Sequence, residues 1–239
     1  MKQRLDQLLV ARGLVPTRSQ AESWIRLGKV FVGGEPATKA GTFTNTDAQL
    51  ELRADEQYVS RAGLKLASVA AALRLHFDGK VMLDVGSSTG GFTDYALQHG
   101  ASKVIAVDVG TNQLHPSLHG NPKIELHEQT DIRDIHELSS LPDIVVIDVS
   151  FISLRQILPQ VARLSGPKTQ IIAMVKPQFE ATASHLKHKG VIKNDKIRRE
   201  ILKSFEDWAR QYFVMLDKAD SDVAGSKGNL ERFYALQKL

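Results

Sequence analysis

The strongest constraint on the fold is a glycine-rich turn, Asp84-Val-Gly86-Ser-Ser-Thr-Gly90-Gly91, which follows an apolar run at Val81 to Val85 and leads into a helix expected from Phe92. Glycines directly after a strand let the backbone approach a ligand closely before the helix begins. The same alternation continues downstream. Strand-like runs at Lys103 to Val107, Ile144 to Val149 and Gln170 to Val175 are interleaved with helical patterns at Phe92 to Gln98 and Leu154 to Leu164. Strands alternating with helices predict an α/β fold, a mostly parallel sheet with helices on both faces. Ligands bind such sheets beyond the carboxyl ends of the strands, where Asp84, Asp108, Asp148 and Lys176 cluster. Ahead of the turn, Arg61 to Leu75 reads as a helix with Leu64, Val69 and Leu73 facing inward, so Lys65 lies near its first turns.

The composition of the turn narrows the ligand. A dinucleotide site reads Gly-x-Gly-x-x-Gly and seats pyrophosphate on the helix terminus, whereas this turn reads Gly-x-x-x-Gly-Gly with an acid two residues ahead. An acid there repels phosphate and suits a cation. S-adenosylmethionine carries an ammonium and a sulfonium, so Asp84, Gly86, Ser87, Ser88, Thr89, Gly90 and Gly91 are the expected cofactor turn for its methionine end. Asp108, followed by Val109, ends the next strand, where a carboxylate accepts hydrogen bonds from ribose hydroxyls. Asp131, in Gln-Thr-Asp-Ile-Arg-Asp, is expected near the adenine.

Residues 1–54 read as a separate small module, joined by residues 55–60 to a larger domain over 61–239. Leu5, Leu8 and Leu9 form one stripe of a short helix over residues 3–11, which the Gly13 to Pro16 segment ends. A second helix starts near Thr17, with Thr17 or Ser19 as its cap, Ala21, Trp24 and Ile25 as its apolar face and Gly28 at its end. Lys29 to Thr38 then alternates like a strand and turns on Gly33-Gly34, a pair suited to a tight hairpin. Over residues 1–40 seven bases face three acids, a surplus equal to the net charge of +4 of the whole chain. The run from Arg4 through Gly34 resembles the S4 RNA-binding module of ribosomal and RNA-modifying proteins. The resemblance implies that Arg4, Arg18, Arg26 and Lys29 face structured RNA, where phosphate contacts supply affinity and little sequence information. A second basic stretch, His185 to Arg199 with Lys187 and Lys189 in its first part, follows the run that ends at Val175 and reads as an RNA-facing loop entering a helix.

Other function classes are excluded or disfavoured by composition. The chain has no cysteine, so disulfides and thiolate metal sites are unavailable. Its histidines lack metal-ligand spacing, and no metal is expected. No apolar run approaches the roughly 20 residues that span a bilayer, and the start lacks the apolar core of a signal peptide. The expectation is a cytoplasmic protein with no membrane role.

Tyr58-Val-Ser-Arg-Ala-Gly-Leu-Lys65-Leu, the turn from Asp84 to Asp94, Val107-Asp-Val-Gly, Asp148-Val-Ser-Phe-Ile-Ser-Leu154, Val175-Lys-Pro-Gln-Phe-Glu180 and Gly228-Asn-Leu-Glu231 together resemble the TlyA family, called hemolysin A in older naming. The resemblance runs from end to end. It implies a Rossmann-like methyltransferase domain related to the FtsJ group, preceded by the α+β S4-like module. It further implies S-adenosylmethionine as cofactor and the ribose 2'-hydroxyl of a ribosomal cytidine as substrate, in ribosomal RNA or ribosomal subunits. The short start and short end resemble the family's shorter type, associated with large-subunit RNA. Thr111-Asn112 stands where the family commonly has Tyr-Gly.

The family's Lys-Asp-Lys-Glu tetrad falls on Lys65, Asp148, Lys176 and Glu231. A ribose hydroxyl is a very weak acid and must lose its proton as it attacks the methyl carbon in line with the departing sulfur. Lys176 is the candidate central group, either as base or as a charged stabiliser of the developing alkoxide, and the residues leave both open. Asp148 would orient it, while Lys65 and Glu231 would fix the hydroxyl. The alternatives are a non-catalytic S4-type RNA-binding or assembly factor, which would need neither Asp84 nor Lys176, and a lytic protein, for which the chain offers no long apolar segment.

Overall fold

The computed structural model describes residues 1–239 apart from 27, 54–57, 182–190, 193, 224, 226 and 227, and describes Ser19 and Arg26 by backbone alone. The first module opens on β1 (Lys2–Arg4) rather than on a helix, and α1 (Leu5–Ala11) follows. β1 pairs antiparallel with β4 (Phe43–Asn45), a partner about 40 residues away that local periodicity does not reveal. In α2 (Arg18–Arg26) the free amide of Gln20 donates to the Thr17 hydroxyl at 3.2 Å, which is the capping expected of a threonine there. Gly33 and Gly34 have φ of +59° and +87° and join β2 (Val30–Val32) to β3 (Glu35–Pro36) in a two-residue hairpin; β5 (Leu50–Leu52) pairs along the other edge of β2.

The larger domain contains α3 (Arg61–Ala70), β6 (Val81–Val85), α4 (Gly91–Gln98), β7 (Lys103–Val107), β8 (Ile124–His127), β9 (Ile144–Ile147), α5 (Leu154–Leu164), β10 (Gln170–Val175), α6 (Pro177–Glu180), α7 (Asp195–Ala209), β11 (Phe213–Asp220) and β12 (Arg232–Lys238). α3 ends five residues earlier than its apolar pattern suggests; a turn carries the chain on to Arg74, where φ is +54°, and Leu73 and Leu75 stay buried beyond the helix. The strands form a seven-stranded sheet in the order β8-β7-β6-β9-β10-β12-β11. β6 through β10 run parallel, and β12 enters antiparallel beside β10. The strand order reverses between β6 and β9, which is where a crevice opens at the carboxyl ends of such sheets.

Alternate side chains build two cores. Met82, Val104, Val146, Met174 and Phe233 face α3 and α4, while Leu83, Ile105, Val145, Ala173 and Tyr234 face α5 and α7. Each fully buried side chain of this size contributes about 1.5–3 kcal/mol. The first core continues without a break into Leu5, Leu9, Trp24 and Ile25, so the small module is packed on the α3 side of the sheet. At the junction Gln20 donates to the Tyr58 carbonyl at 2.6 Å, and the Val59 amide donates to Asp94 of α4 at 2.8 Å. α3 and α4 meet through glycine. A Cβ on Gly63 would lie 2.5 Å from Tyr58, and one on Gly91 would lie 2.8 Å from Ala62 and 2.9 Å from the Gly63 amide. That close approach holds Lys65 over the ends of the strands. No helix among the described residues is long and apolar enough to cross a membrane.

Candidate active site

Register assembles the charges. Asp84 follows Met82 by two residues, Asp148 follows Val146, Lys176 follows Met174, and Glu231 precedes Phe233 by two. All four anchors face α3 and α4, so alternation brings all four charges to that side of the sheet. Val175 pairs with Arg232, which sets Lys176 across from Glu231 at the mouth of the sheet. Two ion pairs result. Lys176 Nζ lies 2.5 Å from Asp148 Oδ1 and donates to Ser150 Oγ at 2.8 Å. Lys65 Nζ lies 2.5 Å from Glu231 Oε2, and this pair is buried, with the two residues only 6% and 3% exposed. A charge is tolerated in such a place only with a partner. Lys176 has extended backbone, φ −102° and ψ 104°, and Pro177 starts the one-turn helix α6 behind it.

A cleft of about 490 Å³ opens beside this cluster, lined among others by Gly86, Ser88, Asp108, Val109, Asp131, Asp148, Ser150 and Phe151. Gly86, at φ +83°, lets the first turn pass against the second: a Cβ there would meet the Asp148 carbonyl oxygen at 2.6 Å. The Asp108 carboxylate accepts from the amides of Ser88 at 2.8 Å and Gly110 at 2.7 Å, so it is held rigidly at the end of β7. Asp131 accepts from the backbone and guanidinium of Arg133, which holds its carboxyl below the usual range. Asn112 has φ +50°, a left-handed backbone that suits glycine and that asparagine tolerates, which accounts for the residue found beside Thr111.

Not every residue of the glycine turn reaches the cleft. Ser87, Thr89, Gly90 and Gly91 do not line it. A Cβ on Gly90 would collide with Leu118 at 2.5 Å, and Gly91 packs on α3, so these glycines serve close packing. Asp84 lies beneath the turn. Its Oδ2 accepts from Thr93 Oγ1 at 2.7 Å, while Oδ1 is buried with no hydrogen-bond partner among the described residues. Burial, opposed by the Thr93 hydrogen bond and reinforced by Asp148, pushes its carboxyl up to about 7. These residues fit S-adenosylmethionine: an unpaired buried carboxylate oxygen under a close-approach glycine suits a cationic ligand end, and a rigid carboxylate at the next strand suits a ribose diol.

On the first module, Arg4 and Arg18 both reach Asp6, each at 2.9 Å. The Arg4 hydrogen bond foremost, with Arg18 adding to it, holds the buried Asp6 carboxyl down at about 2. These two arginines therefore spend donors on the fold, while Lys29 is exposed. The side chain of Arg26, and Lys187 and Lys189, lie outside the described residues. Among those described, no group of acids and histidines is arranged to hold a metal ion. Two contributors went unassigned in the sequence: Ser150, which accepts from Lys176, and Glu180, whose buried carboxylate ties α6 to α5. Both stand inside the quoted motifs, but a contact between loops carries no periodic signal.

Comparisons with known proteins agree with this arrangement. The FtsJ-like methyltransferase family matches residues 58–238 and the S4 domain matches residues 3–46. A 23S rRNA (cytidine-2'-O)-methyltransferase TlyA of Campylobacter jejuni is 41% identical, covering 75% of this chain and 70% of that protein. The 16S/23S rRNA (cytidine-2'-O)-methyltransferase TlyA of Mycobacterium tuberculosis is 34% identical over 98% of this chain and 89% of its own length. A solved structure of a "putative hemolysin" from Streptococcus thermophilus superposes with a TM-score of 0.73 at 36% identity, covering 99% of this chain and 88% of that one. With a seven-stranded methyltransferase sheet, an S4 domain ahead of it and this likeness over most of its length, the chain belongs to the TlyA (hemolysin A) family of S4-bearing, FtsJ-like methyltransferases.

Proposed function

We propose that this protein transfers a methyl group from S-adenosylmethionine to the 2'-hydroxyl of a cytidine ribose in ribosomal RNA, acting in the cytoplasm on ribosomal RNA or subunits. Large-subunit RNA is the favoured substrate, because it is common to the names of the TlyA relatives. The observation that carries the reading is the meeting of Lys65, Asp148, Lys176 and Glu231 at one mouth of the sheet, beside a cleft suited to a cationic donor.

When bound, S-adenosylmethionine supplies an electrophilic methyl group on a positively charged sulfur. The residues of the chain do the rest. Gly86, Ser88, Asp108, Val109 and Asp131 form the walls that hold the donor, and the charge of Asp84 favours its cationic end from below the turn. Lys176, oriented by Asp148 and Ser150, stands at the ribose hydroxyl: either it takes the proton that the hydroxyl sheds, or it stays charged and stabilises the oxyanion while that proton passes to solvent. Lys65 and Glu231 stand beside Lys176 at the same mouth of the sheet; their mutual pairing fixes both side chains, so the hydroxyl meets a preset geometry. Arg4, Arg18, Arg26, Lys29, Lys187 and Lys189 supply phosphate contacts that bring RNA to this mouth.

Incubation with methyl-labelled S-adenosylmethionine and ribosomal particles from a strain lacking the protein, followed by nuclease mapping, tests the reading. Label is expected on a ribose, whereas label on a base or no label rejects it. Lys176→Ala should abolish transfer with cofactor binding retained, and normal turnover by that variant would remove the tetrad argument.

A further inference from the structure

Two loops build the Lys176 side of the site: residues 148–154, which run from the end of β9 to the first residue of α5, and residues 176–180, which include α6. They touch at three places. At one end Lys176 holds Asp148 and Ser150. In the middle the rings of Phe151 and Phe179 lie 5.2 Å apart. At the far end Glu180, a buried residue, accepts from the Leu154 amide at 2.6 Å and from the Ser153 hydroxyl at 2.7 Å, with Arg155 Nε at 3.7 Å. The first loop is strained. Phe151 has φ +65° and is 91% exposed, so nothing in its own burial holds it there. A left-handed non-glycine residue costs about 1–3 kcal/mol and persists only where its surroundings over-determine it. The turn at Phe151 is what points Ser150 back toward Lys176 while sending Ser153 down to cap α5.

We propose that Glu180 is a positioning residue for the methyl transfer: by bonding Ser153 and Leu154 it holds the strained turn at Phe151, and through it the Asp148 and Ser150 contacts that fix the Lys176 ammonium. The inference rests on the methyl-transfer reading above. A carboxylate beneath the first amides of an 11-residue helix is also well placed electrostatically, which makes this end of the clamp firm. Glu180 touches neither donor nor hydroxyl; it acts through Lys176 alone.

The test compares Glu180→Gln, Glu180→Asp and Glu180→Ala in the full chain. Glutamine can still accept from Leu154 and can donate to the Ser153 hydroxyl, whereas aspartate keeps the charge but falls short of both. Glutamine should therefore keep kcat within about threefold of wild type. Aspartate and alanine should lower it by about 10²-fold, the effect of a small misplacement in an active site, while KM for both substrates stays within about threefold. Ser153→Ala, which removes the bond to Glu180 together with the Arg155 cap and leaves Glu180 in place, keeps the test open if Glu180→Ala does not fold: it should lower kcat, and adding Glu180→Asp should lower kcat little further. The proposal is overturned if aspartate keeps kcat and glutamine loses it, which would mean that charge matters and position does not. It is equally overturned if the variants lose only thermal stability, with kcat unchanged in the folded protein. Inactive wild-type protein, or a fully active Lys176→Ala, would remove the methyl-transfer reading and this inference together. A dead Lys176→Ala beside normal Glu180 variants would remove the inference alone.

Discussion

The buried pair of Lys65 and Glu231 gives the sharpest separation of stability from activity. Both side chains are nearly closed to solvent, at 8% and 3% exposure, so neither charge keeps a water shell to fall back on. Lys65→Met retains most of the aliphatic stem and leaves the Glu231 carboxylate unpaired; Glu231→Leu leaves the ammonium unpaired. Removing one partner of a buried pair costs about 3–5 kcal/mol, and for a domain of this size each kcal/mol lowers Tm by about 2–4 °C. Each single variant should therefore melt roughly 6–20 °C below wild type. The double variant Lys65→Met/Glu231→Leu replaces two desolvated charges with apolar groups of similar volume and should recover to within about 1–2 kcal/mol of wild type, a coupling of several kcal/mol. It should nevertheless transfer no methyl group. Thermal and urea unfolding of the four proteins, with transfer assays on the same samples, decide the matter. Additive losses in the double variant, or single variants that melt with wild type, would refute the claim that these residues form one desolvated pair. An active double variant would refute their place in the site.

Three further outcomes follow from named contacts. Because burial raises the Asp84 carboxyl to about 7 from an ordinary value near 3.8, the folded protein holds that proton more tightly than the unfolded chain does. The stability this provides is present below pH about 4 and is lost as pH rises through about 7. Asp84→Asn, which cannot ionise, should thus gain stability relative to wild type between pH 5 and 8 by a few kcal/mol, and should lack the rise in cofactor affinity that calorimetry is expected to find in wild type over the same interval. A flat difference across that range would contradict the assignment. Gly86→Ala, whose Cβ would meet the Asp148 carbonyl at 2.6 Å on a backbone of φ +83°, should weaken cofactor binding by about tenfold or more. Lys29→Ala should reduce the salt slope of RNA binding by about one and leave Tm nearly unchanged, whereas Arg4→Ala with Arg18→Ala strands the buried Asp6 and should lower both affinity and Tm.

What the sequence determined by itself is the type and order of the elements with a strong period. Val81–Val85, Lys103–Val107, Leu154–Leu164 and Gln170–Val175 have the limits their patterns suggest, because strands covered on both faces must be apolar throughout and an amphipathic helix must repeat. Hairpin and capping signals at Gly33-Gly34 and Thr17 were equally local, since one residue's backbone freedom or hydroxyl suffices. The motifs around Asp84, Asp148 and Lys176 were legible for the same reason: each stands at the end of such a run. β1, β8, β11 and β12 were not, because strands that are short, that lie at an edge or, like β12, that pair with a segment far along the chain owe their existence to that pairing. The tertiary structure alone decided that Lys65 and Glu231, 166 positions apart, are one ion pair. It also decided that a Cβ at Gly86, Gly90 or Gly91 would collide with a neighbouring segment, and that Glu180 bonds both Ser153 and Leu154. Register across β6, β9, β10 and β12 selects which side of the sheet each charge takes, and a slip of one residue would send it to the other face. That register is fixed by the summed packing of two cores, a property of the whole sheet that no single segment contains.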